Sequence, residues 1–152
     1  MIHSLVSSSW LKAHINDANL IILDASQKKN KAQLTTTTGT AQIPNSIAFD
    51  LKVFSDSKSD FPNTIPSSKQ FEKEASNLGI TNSSTIIVYD NLGIYTSPRV
   101  WWLFKAMGHK NVAVLDGGLP GWIAMGFETT QNKQAEFAHN SKSYSAKLKT
   151  NL

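Results

Sequence analysis

The sequence predicts an α/β fold with a central, mostly parallel sheet flanked by helices on both faces. Short apolar runs rich in Ile and Val, at Leu20–Leu23, Ser46–Phe49, Thr85–Tyr89 and Val112–Leu115, have the continuous hydrophobicity of strands buried on both faces. Between several of them lie helical patterns with their own start and stop signals, and such alternation is the signature of a covered parallel sheet. The length of 152 residues fits one core, and 40% hydrophobic residues with seven Phe and four Trp can fill it without a metal or a disulfide.

The elements follow in order. Trp10, Leu11 and Ile15 make the inward side of a short helix over Ser9–Ile15, ahead of the first strand. The stretches 27–39 and 52–66 are polar and read as surface loops, the first with four consecutive Thr. Ser67 is a helix cap with Gln70 at the third helical position, Phe71, Ala75 and Leu78 form one apolar stripe, and Gly79 ends the helix. After the strand Thr85–Tyr89, Thr96 and Ser97 are candidate caps for a helix that opens with Pro98 and runs through Trp101, Trp102, Phe104 and Met107 to Gly108. Adjacent on one helix, the two tryptophans cannot share a face, so one is expected in the core. A last short helix spans Leu119–Met125, with Gly126 as its stop, and the polar tail from Glu128 carries no helical stripe.

Charge and residue counts exclude several functions. The chain has no Cys, which removes disulfides, thiolate metal sites and a cysteine nucleophile. The net charge of +4 comes from scattered lysines and the single Arg99, a poor basis for bidentate recognition of phosphates or bases, so no nucleic-acid partner is expected. No apolar run approaches the ~20 residues that cross a bilayer, and the start MIHSLVSSSW lacks a basic and apolar leader, so no membrane partner and a cytoplasmic location are expected. His3, His14, His109 and His139 are dispersed without acidic clusters, so neither a metal nor another cofactor is expected. His109 reads as a helix-end residue favoured by the helix dipole. Gly117 and Gly118 read as a strand-to-helix turn, since no phosphate-loop pattern accompanies them.

The stretch TIIVYDNLGIYTSPRVWW concentrates the chemistry. A buried strand runs into Asp90, then a loop with Gly93, then a helix start, which is where ligands bind beyond the carboxyl ends of parallel strands and where backbone N–H groups attract anions. The plainer reading is a βα turn in which Asp90 caps its own loop. An aspartyl-phosphate role fits poorly, because Leu92 stands where a second Asp would be needed.

TIIVYD followed by SPRVWWLFKAMGHKNVAVLDGGLPGW resembles the N-terminal domain of the tandem-domain rhodaneses, the thiosulfate and 3-mercaptopyruvate sulfurtransferases. WLKAHINDANLIILDAS, GTAQIPNSIAFDL and FPNTIPSSKQFEKEASNLGI are similar to further family segments in the same order. The resemblance implies a rhodanese-like α/β fold and a family that passes a sulfane sulfur from a small anionic donor to a thiophile through a cysteine persulfide. Asp90 stands at the position of the catalytic Cys, and a carboxylate cannot form and break S–S bonds. The domain alone is therefore expected to be inert, with no catalytic residue of its own.

The same resemblance implies a non-catalytic domain over residues 1–130. Residues 131–152 would then be a linker and the start of a second rhodanese domain that carries the Cys and is the partner. SYSAKLKTNL resembles that start. Substrate-facing or interdomain residues carry over as Asp50, Asn63, Tyr95 and Arg99. Asp50 matches an Asp that orients a His in mercaptopyruvate enzymes, and it could equally cap the strand end it follows. Asn63 replaces that His and cannot shuttle a proton near neutral pH. Tyr95 could donate its hydroxyl to a carboxylate or sulfonate, and Arg99 could reach an anion or be tied to a neighbouring loop. Gln42 and Asn45 depart from the His and Gly of the family turn. The alternative is a free-standing inactive module that binds a protein or an anion, with Asp90 closing the old pocket.

Overall fold

A computed structural model describes residues 3–26, 41–55, 65–131 and 144–147. In chain order the elements are β1 (Leu5–Val6), α1 (Ser8–His14), β2 (Leu20–Asp24), β3 (Ala41–Gln42), β4 (Ser46–Ala48), α2 (Ser68–Asn77), β5 (Thr85–Tyr89), α3 (Ser97–Ala106), β6 (Val112–Leu115), α4 (Gly118–Ala124) and β7 (Thr130–Gln131). Five strands form one sheet in the order β1-β6-β5-β2-β4, with every pairing parallel. β5 lies at its centre, and the α/β expectation holds.

Alternation along β5 builds a separate core on each face, because successive side chains of a strand point to opposite sides. Ile86 and Val88 join Phe71 and Ala75 of α2 and Val100, Leu103 and Phe104 of α3. Ile87 and Tyr89 join Leu11 of α1 and Leu119 and Trp122 of α4. The first face is aromatic: Phe71 meets Phe104 edge-on at 5.0 Å and Phe54 at 5.4 Å, and Phe49 stacks on Phe54 at 4.2 Å.

Local signals explain the helix starts only in part. The Ser67 hydroxyl oxygen accepts from the Gln70 amide at 3.1 Å, as its position predicts. The Gln70 side chain does not reach back to complete a capping box; it donates to the Val53 and Ser55 carbonyls and holds the turn after β4. Neither Thr96 nor Ser97 caps α3 with its side chain. The Thr96 hydroxyl donates to the Ala25 carbonyl at 2.8 Å, which ties the helix start to the end of β2, and the cap comes from Asp90 instead.

Three further features differ from the sequence reading. β1 and the small antiparallel ladder β3–β7 were not foreseen, since a two-residue strand has no period to detect. Trp101 and Trp102 are both half-buried, and the fully buried tryptophan is Trp122. His109 does follow the end of α3, but it is buried there, and burial pushes its pKa below the usual value instead of favouring the cation. The loop 27–39, most of the loop 52–66, Asn63 and His139 lie outside the described residues.

Candidate functional site: an anion cradle filled by its own aspartate

Asp90 directly follows β5 and is 1% exposed. Its carboxylate folds back into the loop that it opens. Oδ1 accepts from the Leu92 amide at 3.0 Å. Oδ2 accepts from the amides of Tyr95 at 2.8 Å, Thr96 at 3.0 Å and Ser97 at 2.9 Å. Three consecutive N–H groups at a helix start, joined by one from the loop, form a concave donor set suited to an anion. The side chain of Asp90 is that anion.

The loop is held from outside as well. The Ala25 amide donates to the Tyr89 carbonyl at 2.8 Å and the Leu119 amide to the Asp90 carbonyl at 3.0 Å, so the ends of β2 and β5 and the start of α4 are tied together. Gly118, at φ +55°, makes the last contact possible, because a Cβ there would lie 2.3 Å from the Gly93 oxygen and 2.7 Å from the Asp90 oxygen. The glycine pair is thus a strand-to-helix turn, and its second member exists for close backbone approach. Ser97 is fully buried, and its hydroxyl has no hydrogen-bond partner among the described residues.

Around the cradle the predicted residues are placed unequally. Tyr95 is half-buried and gives its amide to Asp90. Arg99 is exposed in the first turn of α3, with its guanidinium 5.3 Å from the Trp102 ring centre, a cation–π arrangement. Asp50 is exposed, and its Oδ1 accepts the Lys52 amide at 2.9 Å, which is the strand-end cap. Gln42 lies in β3, and Asn45 takes a left-handed φ of 69° in the turn before β4. Among the described residues no group of three His, Cys, Asp or Glu could hold a metal ion.

Tyr89, one residue before Asp90, was not singled out from the sequence. Its hydroxyl donates to the Ser46 hydroxyl at 3.0 Å and accepts from the Ile43 amide at 3.2 Å. Burial, reinforced by the nearby Asp24 charge, pushes its pKa far above the ordinary range, so it is a fixed structural donor and not a base. Nothing in a buried strand's sequence distinguishes such a tyrosine from a plain core residue.

The surface beside the cradle is apolar. Ile94, at the tip of the loop, is 51% exposed, and Leu5 on the edge strand is 49% exposed. With Pro98, Trp101, Val114 and Ser4 they line a shallow groove of about 250 Å³. A larger cleft of about 720 Å³ is lined by Leu20 and Thr85, the first residues of β2 and β5, and so opens at the opposite end of the sheet from Asp90.

A parallel α/β domain whose central strand ends in a loop of convergent amides is the architecture of sulfur-transfer domains of the rhodanese type. The family profile of the rhodanese-like domain matches residues 7–125, and the chain belongs to that family. It is 39% identical over 137 residues to thiosulfate/3-mercaptopyruvate sulfurtransferase 1, mitochondrial, of Arabidopsis thaliana, covering 87% of this chain and 35% of that protein. It is 32% identical over 123 residues to 3-mercaptopyruvate sulfurtransferase of Escherichia coli K12, covering 77% of this chain and 43% of the relative. The crystal structure of SseA from Escherichia coli, a 3-mercaptopyruvate sulfotransferase, superposes with a TM-score of 0.81 at 27% identity, over 98% of this chain and 57% of that one. The chain thus spans about half or less of the length of the curated relatives it matches.

Proposed function

We propose that this chain is the non-catalytic, N-terminal rhodanese domain of a two-domain sulfurtransferase. The complete enzyme would move sulfane sulfur from thiosulfate or 3-mercaptopyruvate to a thiophile such as cyanide or a thiol. The persulfide Cys would reside on a second rhodanese domain. One observation carries the reading: the four-amide cradle holds the carboxylate of Asp90. A persulfide site needs a polarisable sulfur at that point, with the amides stabilising its anionic forms. Here the amides are already saturated, and the chain has no sulfur nucleophile to offer.

The domain's contribution in this reading is surface. Ile94 and Tyr95 are presented by a loop that Asp90 holds rigid, and the groove of Leu5, Ile94, Pro98 and Trp101 is the apolar face that a second domain would cover. Tyr95 and Arg99 would then stand at the rim toward an anionic donor.

The test compares this chain with the product of the longer coding sequence in a thiosulfate:cyanide assay that follows thiocyanate. Activity in the longer, Cys-bearing protein and none in this chain is the expected result. Activity in this chain would overturn the requirement for a Cys. A coding sequence that stops at Leu152 would overturn the tandem reading and leave a free-standing binding module.

A further inference from the structure

Residues 144–147 return to the domain where α3 ends and β5 is about to begin. The Tyr144 ring enters the aromatic core, 5.6 Å from Phe71 and stacked 5.8 Å from the imidazole of His109. Ser145 exchanges two hydrogen bonds with the Asn82 side chain: its amide donates to Oδ1 at 2.9 Å, and its carbonyl accepts from Nδ2 at 2.8 Å. The Lys147 amide donates to the Met107 carbonyl at 3.1 Å. These bonds strap four residues of irregular backbone to three other parts of the fold.

His109 stands under the strap, and its bonds have a forced direction. Nε2 lies 2.8 Å from the Ser84 carbonyl oxygen, which can only accept, so this nitrogen carries the proton. In a neutral ring Nδ1 is then an acceptor, and the Tyr144 hydroxyl, 3.0 Å away, donates to it. A second proton on the ring would make Nδ1 a donor too. The hydroxyl would have to turn its own hydrogen away into the core, and the imidazolium would be buried. Among the described residues, the groups around it give that charge no counter-ion. α3 presents the edge of the Phe104 ring at 5.7 Å, the turn before β5 presents the Ser84 carbonyl, the residue before β6 presents the Asn111 backbone, and the strap presents an uncharged phenol. Lys105 of α3 adds a like charge, and among the described residues no carboxylate acts on the ring.

We propose that the strap Tyr144–Lys147 is a clasp that neutral His109 holds closed and that opens when the imidazole is protonated. Burial first, and then the Lys105 charge, hold the closed-state pKa below the usual 6.5, while the Ser84 and Asn111 backbone acceptors oppose the shift. In the open state the ring meets water and regains its ordinary affinity for a proton. The open state therefore binds more protons, and opening is favoured as pH falls below about 6.5, until the closed-state value is passed. The device is local, because the sheet and the helices of the other face take no part in it.

Amide hydrogen exchange on the 152-residue chain, corrected for the intrinsic pH dependence of exchange, tests this at pH 7.5 and pH 5.5. The Ser145 and Lys147 amides should lose up to about tenfold protection at the lower pH, while the Ile87 and Val88 amides of β5 lose none. An unchanged strap, or strap and β5 amides losing protection together, would overturn the proposal. His109→Gln keeps a donor for Ser84 and an acceptor for Tyr144 without titrating, and it should abolish the difference between the two pH values. Persistence of the difference in that variant would assign it to another group and overturn the clasp. If the variant fails to fold, the wild-type series decides by itself.

Discussion

Oδ2 of Asp90 accepts the amide of Ser97 at 2.9 Å, so the residue that ends the central strand supplies the anion for the helix that follows. A side chain that has displaced a catalytic sulfur nucleophile, in the reading proposed here, has thereby become the structural centre of its loop.

Asp90→Ala removes the acceptor for four amides, three of them at the start of α3. Losing the acceptors of buried donors outweighs the relief of no longer burying a charge, and the expected destabilisation is about 2–4 kcal/mol. Asp90→Asn keeps one acceptor oxygen and should cost clearly less. Urea unfolding of the three proteins checks the order, and an Ala variant as stable as the parent would show that the cradle needs no anion.

Asp90→Cys places the only thiol of the chain inside the amide cradle. Donors aimed at one point favour the thiolate, as at other helix starts, so the thiol should titrate below the ordinary value near 8.5. The pH profile of alkylation reads this directly, with a half-maximal rate expected below about pH 7.5. A midpoint at or above the ordinary value would mean that the cradle fits only a carboxylate.

Gly118→Ala drives a methyl into the Gly93 and Asp90 carbonyls at a φ of +55°. Both obstacles are backbone, so neither can rotate away, and a loss of about 2 kcal/mol or more is expected. Gly126→Ala is the control: its φ is also positive, at +77°, but no described residue lies within 4 Å. Thermal unfolding should show the smaller loss at Gly126.

Ile94→Ser changes an exposed side chain and should leave the stability of this chain within about 0.5 kcal/mol. In the proposed two-domain protein the same change should weaken interdomain contact. Reduced sulfurtransferase activity of the longer protein with unaltered folding of the isolated chain is the expected pair of results. Unaltered activity would remove Ile94 from the interface.

Much of this was legible along the chain. The four Ile- and Val-rich runs lie at β2, β4, β5 and β6, and Ser67, Phe71, Ala75 and Gly79 mark α2, because burial on two faces and helix capping are local constraints that leave local marks. β1, β3 and β7 were not legible: two-residue strands take their order from the partner strand and not from their own pattern. The burial of His109 was not legible for a similar reason, since the helix end that it follows is covered by Tyr144, a residue 35 positions away.

At the site the division is sharper. The absence of Cys and the presence of Asp90 at the end of TIIVYD are properties of the sequence, and the first leaves this chain without a thiol. Where the Asp90 carboxylate points is not such a property. Thr96 and Ser97 have the side chains of helix caps, and a local reading assigns the cap to them. The fold gives Thr96 to Ala25 and the helix amides to Asp90, because the ends of β2 and β5 and the start of α4 converge and make the longer-range bonds available together. Residue types record which chemistry is possible; the convergence of strand ends determines which of those groups meet.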